Sequence, residues 1–236
     1  MGKRIIQQRR GKGSPTYRVR RRAYRYRVGY PSAEGKASII GLIKSGGHTA
    51  PLAKMKINDE IFYNVAADGL YEGQEIEVGG EEVKTGNILT LKNIPVGSEI
   101  YNIELIPGDG GKLIRSGGNK AVVTKKNKEK VAVLLPSKKE VWVDEKCRAS
   151  IGITAGAGRL EKPIMQAGRK WYRMKARNKL YPRTSPIKMN VVDHPFGSGR
   201  GKNISHGGKG KTPKRNAPPG AKVGSLWPKR TGRRKK

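Results

Sequence analysis

Asp193-His194 is the one place in the chain where a carboxylate and an imidazole are sequence neighbours, the pairing that proton transfer would use. Adjacent residues of an extended chain point to opposite sides, so the two make a poor dyad by themselves. Residues 205–212 end in Gly210-Lys211-Thr212 like a phosphate-binding loop. The first glycine of that loop is replaced by Ser205, no apolar strand precedes it, and Pro213 stops any following helix. Cys147, His48, His194 and His206 include no close-spaced pair of zinc ligands, so neither a metal nor another cofactor is expected. Nucleophile-elbow and zinc-peptidase motifs are absent as well. Other residues suit a polyanion. Arg25 and Arg27 alternate with Tyr24, Tyr26 and Val28; guanidinium forks grip phosphates and tyrosine faces stack on bases. The same alternation would also suit a half-buried edge strand with its arginines in solvent. Residues 196–211 hold six glycines and three lysines, with Arg200 and Lys202 among their cations. Glycine lets backbone N–H groups approach phosphates and nearby cations neutralise them, although a flexible linker would share that composition.

Charge points the same way. The 236 residues carry 51 Lys and Arg against 18 Asp and Glu, a formal net charge of +33. A self-repelling excess of that size calls for a polyanion. The charge is segregated, with +11 in residues 1–27, +1 in 28–158 and +21 in 159–236. A near-neutral middle can fold in the ordinary way, whereas two polycationic ends cannot collapse unaided. No apolar run approaches the ~20 residues of a membrane span, and a single cysteine suits a reducing interior. The cytoplasm is the expected compartment, with no membrane partner and no small-molecule substrate.

The middle must supply the elements that position these groups, and it reads as all-β. Short apolar runs recur at 38–43, 60–66, 74–78, 88–91, 100–106, 121–124, 130–135, 140–143 and 149–153. Turns such as Gly79-Gly80, Gly108-Asp109-Gly110-Gly111 and Gly117-Gly118-Asn119 separate them, the spacing of sandwiches and small barrels. Ile94-Pro95-Val96-Gly97 interrupts the series about halfway, which favours two small barrels in tandem. The expected division is a basic arm over 1–36, barrels over 37–94 and 95–158, and a basic Gly/Pro-rich extension over 159–236. Residues 24–28 are expected to be extended. Residues 170–179 are the best helix candidate, and six prolines beyond Pro182 block any long helix there.

Several stretches resemble one family. Met189-Asn-Val-Val-Asp-His-Pro-Phe-Gly-Ser-Gly-Arg200 is similar to the signature of the universal large-subunit ribosomal protein L-two family. Residues 94–115, Ile-Pro-Val-Gly-Ser-Glu-Ile-Tyr-Asn-Ile-Glu-Leu-Ile-Pro-Gly-Asp-Gly-Gly-Lys-Leu-Ile-Arg, and Cys147-Arg-Ala-Ser-Ile-Gly152 match further family segments. The opening Met1-Gly-Lys-Arg-Ile-Ile-Gln-Gln-Arg-Arg-Gly11 and the late Ala217-Pro-Pro-Gly-Ala-Lys-Val-Gly224 resemble its archaeal and eukaryotic branch. Thr184-Ser-Pro-Ile-Lys188 departs, standing where the family has a Val-Arg-Gly-Val-Ala-like stretch. The resemblance implies an OB-like barrel followed by an SH3-like barrel. It also implies a non-enzymatic role in large-subunit assembly, subunit association and support of the RNA around the peptidyl-transferase centre, with ribosomal RNA and neighbouring ribosomal proteins as partners. By motif position Arg115 matches a family RNA-contacting arginine, His194 the histidine linked to peptidyl transfer, and Lys36 a basic residue at the opening of the first barrel. Two rivals belong to other classes: an architectural DNA-compacting protein, and a catalyst working through His194.

Overall fold

In the computed structural model residues 2–197 and Pro218 are described. The chain divides into two units, Arg20–Lys170 and Met1–Val19 with Trp171–Lys236. The first is all-β. Its strands are β1 (Gly35–Ile43), β2 (Leu52–Ile57), β3 (Glu60–Val65), β4 (Glu75–Val78), β5 (Ile88–Thr90), β6 (Glu99–Tyr101), β7 (Ala121–Lys126), β8 (Lys130–Leu134), β9 (Glu140–Asp144) and β10 (Arg148–Ile151). They hydrogen-bond in the order β3-β2-β1-β4-β5-β10-β6-β7-β8-β9. Alternation sets the faces: on β1, Ala37 and Ile39 are buried while Lys36, Ser38 and Ile40 are exposed.

Three local expectations are revised. The nine apolar runs miss β2, where Lys54 and Lys56 interrupt the apolar residues although Leu52, Ala53, Met55 and Ile57 are fully buried. The run at 100–106 stops being a strand after Tyr101, because Asn102 turns to φ 48, the left-handed region asparagine tolerates. The helix forms at Ala167–Ala176, three residues earlier than expected.

Two apolar clusters fill the body. One gathers Ile39, Leu52, Met55, Phe62, Val65 and Ile88 with their neighbours; the other gathers Leu89, Ile94, Ile100, Val123, Val133 and Ile151. They meet within β5, whose successive residues Ile88 and Leu89 face different clusters. Strand β10 pairs with β5 on one side and β6 on the other, so one late strand joins both halves. A buried polar network lies at the junction. Asn64 Nδ2 donates to Ser150 Oγ at 2.9 Å, Asn102 Nδ2 to Asn64 Oδ1 at 2.8 Å, and the Tyr30 hydroxyl to the Asn102 carbonyl at 2.6 Å. Misplacing any one of these elements would strand a buried polar group, at about 1–3 kcal/mol.

The other unit is built differently. It contains the short helix α1 (Ile6–Gly11), a 3-10 turn at Pro15–Tyr17, the C-terminal part of helix α2 (Ala167–Ala176) and a 3-10 turn at Pro186–Lys188. No apolar side chain among its described residues is buried. That agrees with the charge excess of these segments, which leaves too little apolar surface for a core.

Candidate nucleic-acid interface

The segment before β1 is not extended at 24–28. Arg21–Tyr24 forms a 3-10 turn and Val28 makes a single bridge to Tyr63. Packing explains the difference: Ala23 is 4% exposed, seated against Gly47, where a side chain could not fit. A Cβ on Gly47 would lie 2.1 Å from the Ala23 carbonyl oxygen. The Tyr24 ring meets His48 edge-on at 5.1 Å, and the Tyr26 ring packs on Tyr63 at 4.8 Å.

Across from this turn stands the loop after β6. Glu104, fully buried, organises it. Its Oε1 accepts from the Gly110 N–H (3.0 Å) and Arg148 Nη2 (3.1 Å), and its Oε2 from the N–H groups of Arg148 (2.8 Å) and Gly108 (3.3 Å). Arg148 also donates to the Pro31 carbonyl at 2.7 Å and lies over the Tyr30 ring, so one ion pair holds both the loop and the segment leading to β1. Asp109 does the remaining work. Its side chain is 8% exposed, and it accepts from the N–H groups of Gly111 (2.9 Å), Leu105 (3.2 Å) and Ile106 (3.4 Å), with Lys112 Nζ at 3.3 Å. Burial alone would raise its carboxyl; these donors overcome that and hold it below the ordinary value. Gly111 sits at φ 85 with a would-be Cβ 2.4 Å from the Asn102 carbonyl oxygen, so the loop closes only with glycine there.

Turn and loop together line a cleft of about 310 Å³ with Tyr24, Tyr26, Arg27, His48, Lys112 and Arg115 on its walls. Arg115 Nη1 donates to the Gly111 carbonyl at 3.1 Å, leaving its other guanidinium donors uncommitted to that bond. Partial burial draws its pKa down from the ordinary arginine value, but a guanidinium stays charged at neutral pH. Three cations stand against one satisfied carboxylate beside aromatic edges, a combination chemically able to neutralise a phosphate and to stack an adjoining base.

Of the residues singled out in the sequence, Arg27 and Arg115 therefore come together. Arg25 and Lys36 do not line this cleft: Arg25 is exposed with its guanidinium 5.8 Å from the Tyr26 ring centre, and Lys36 is exposed on β1 opposite Glu77. Arg200 and Lys202 lie outside the described residues. Lys112, His48 and the supporting Glu104–Arg148 pair were missed, although Lys112 and Glu104 fall inside the 94–115 segment and Arg148 follows Cys147 in another.

His194 belongs to the other unit. Its Nδ1 accepts the Phe196 N–H at 3.1 Å, and its ring meets that of Phe196 edge-on at 5.0 Å. An accepting Nδ1 is unprotonated, so the neutral ring carries its proton on Nε2 and presents it as a donor. Partial burial lowers the imidazole's pKa in the same sense. Asp193 points its charge elsewhere, toward Lys3 at 3.9 Å. The carboxylate does not orient the imidazole as a catalytic dyad requires. Burial pushes the Cys147 thiol up to about 12, where it is no nucleophile at neutral pH. Among the described residues no cluster of His, Cys, Asp or Glu could hold a metal ion, and no helix is long and apolar enough to cross a membrane.

An all-β body with a cationic aromatic cleft, flanked by strongly basic segments, is the build of a polyanion-binding protein. The family model described as "Ribosomal Proteins L2, C-terminal domain" matches residues 84–222. The chain is 44% identical to the large ribosomal subunit protein uL2 of Archaeoglobus fulgidus over the whole of both chains. It is also 44% identical to the uL2 proteins of Methanococcoides burtonii, covering 99% of this chain and 100% of that one, and of Korarchaeum cryptofilum, covering 100% and 98%. The chain belongs to the ribosomal protein L2 family.

Proposed function

We propose that this chain is a structural constituent of the large ribosomal subunit. It binds ribosomal RNA, contacts neighbouring ribosomal proteins on cytoplasmic ribosomes, and supports assembly, subunit association and the RNA around the peptidyl-transferase centre without catalysing a step itself. The observation that carries the reading is the meeting of Arg27, Lys112 and Arg115 in one cleft of a chain alike along its whole length to large-subunit proteins. Its action is positioning and neutralisation. Fixed cations replace counterions along the RNA backbone, and rigid aromatic edges set the register. Arg115, Arg27, Arg25, Lys36, His194, Arg200 and Lys202 are the proposed RNA-contacting residues. His194 acts as a neutral hydrogen-bond donor and not as an acid or base, in keeping with its bond from Phe196.

The body is proposed to divide into an OB-like part over 37–94 and an SH3-like part over 95–158, between a basic arm (1–36) and a basic extension (159–236). The two apolar clusters meeting at Ile88 and Leu89 support a division near there. The DNA-compacting alternative has no counterpart among the relatives, which are named as large-subunit proteins. The test is sedimentation. The chain should travel with the large subunit and leave it only in high salt, and structured ribosomal RNA should displace duplex DNA from it. Retention on duplex DNA in the presence of excess ribosomal RNA would overturn the reading.

A further inference from the structure

The unit formed by the two chain ends holds a second cleft, of about 390 Å³. Its walls are apolar and stiff: Ile6 comes from α1, and Leu180, Pro182, Pro186 and Met189 from the segment beyond α2. Proline fixes its own backbone torsion, so two prolines keep this wall from collapsing into the space. Arg9, Arg183 and Lys188 also line it, and its single acid, Asp193, already has Lys3 as its ion partner. His194 completes the lining, with Nε2 as the ring nitrogen that bears the donor proton. Apolar walls, excess positive charge and one oriented donor are complementary to a flat, hydrogen-bonding ring tethered to a phosphodiester. The volume is at the small end for a ligand site, roughly 300–1,000 Å³. It has room for one ring system and not for a helix.

We propose that this cleft receives a single unstacked nucleobase of an RNA strand. The base lies against the Pro182–Pro186–Met189 wall, and one of its acceptors receives a hydrogen bond from the His194 Nε2–H. The guanidinium and ammonium groups of Arg9, Arg183 and Lys188 neutralise the phosphates on either side. Unpaired bases are the part of RNA that proteins read by stacking and edge hydrogen bonds. The segment 184–188 contributes Thr184, Pro186 and Lys188 to this lining. The inference rests on the reading of the chain as an RNA binder and adds a defined nucleotide site to it.

The experiment uses the full chain and a fluorescent single-stranded RNA: a short oligouridine with one central 2-aminopurine, and its twin with an abasic ribose at that position. Base stacking on protein is worth about 1–3 kcal/mol, so loss of the base should weaken binding about 5- to 150-fold. The 2-aminopurine emission should change on binding, and the change should be lost in His194→Ala and Lys188→Ala. Lys12→Ala, a basic residue outside the cleft lining, should lower affinity for both RNAs alike and keep the emission change. The abasic comparison alters the RNA alone, so a misfolded variant cannot mimic it. Equal affinity for the two RNAs would overturn the base site while leaving RNA binding intact. Failure of both RNAs to bind would overturn the reading of the chain as an RNA binder together with the base site.

Discussion

Removing the carboxylate of Glu104 should damage the protein more than loss of any surface charge, because of the groups that surround it. Four donors converge on it: the N–H groups of Gly108, Gly110 and Arg148, and the Arg148 guanidinium. The glutamate is fully buried and the Arg148 side chain is 19% exposed. Glu104→Ala leaves all four without their acceptor. An orphaned donor costs about 1–3 kcal/mol where water cannot replace the acceptor, a condition met least at exposed Gly108, and breaking a buried pair from one side costs about 3–5 kcal/mol. Since the terms share one carboxylate they do not add, and the expected loss is about 4 kcal/mol. In a unit of this size that is a fall in Tm of about 10 °C. Glu104→Gln keeps the volume and one acceptor but turns an amide nitrogen toward donors, and should lose about 2 kcal/mol. The joint change Glu104→Met with Arg148→Met is the sharper test. Where an ion pair is the whole story, apolar isosteres often restore stability. Here three backbone N–H groups still lack an acceptor, so the double variant should remain about 3 kcal/mol below the parent. Urea unfolding at constant m reads these differences. An alanine variant within about 1 kcal/mol of the parent, or full recovery in the double variant, would refute the assignment of Glu104 as the loop's organiser.

The remaining expectations concern the two clefts and the β body. Arg115→Ala should weaken RNA binding and reduce the slope of log affinity against log salt by about one phosphate contact; an unchanged slope would confine recognition to the chain ends. Gly47→Val should expel the 20–24 turn, accelerating trypsin cleavage at Arg20–Arg27 while far-UV circular dichroism of the sheet stays the same; equal cleavage rates would show that the turn does not depend on that close approach. The folded pKa of His194 lies below its ordinary value, so the loop's stabilisation is complete above about pH 6.5 and declines as pH falls below it. Its ring resonances should titrate lower than those of an unfolded histidine, and a midpoint at or above that value would contradict an accepting Nδ1. A fragment spanning Arg20–Lys170 should fold as a β protein without the chain ends, because it contains both apolar clusters; a disordered spectrum would show that the ends are needed.

Composition and order alone determined what kind of protein this is. A charge of +33 gathered at the two ends of a near-neutral middle is a property of residue counts, and no folding step can alter it. The apolar runs likewise announce nearly all the strands, since alternation acts over neighbouring residues. Where a strand depends on a partner, that local signal fails. Leu52–Ile57 reads as a lysine-broken stretch until β1 and β3 flank it. Tyr24–Val28 reads as extended until Ala23 is seated against Gly47. The interface shows the same split. Arg27 and Arg115 could each be picked out for their chemistry, but 88 positions separate them in the chain. Their meeting depends on Glu104 and Arg148 tying a loop to the segment before β1. Such contacts are set by sheet pairing across the whole body, and only the tertiary structure could place them side by side.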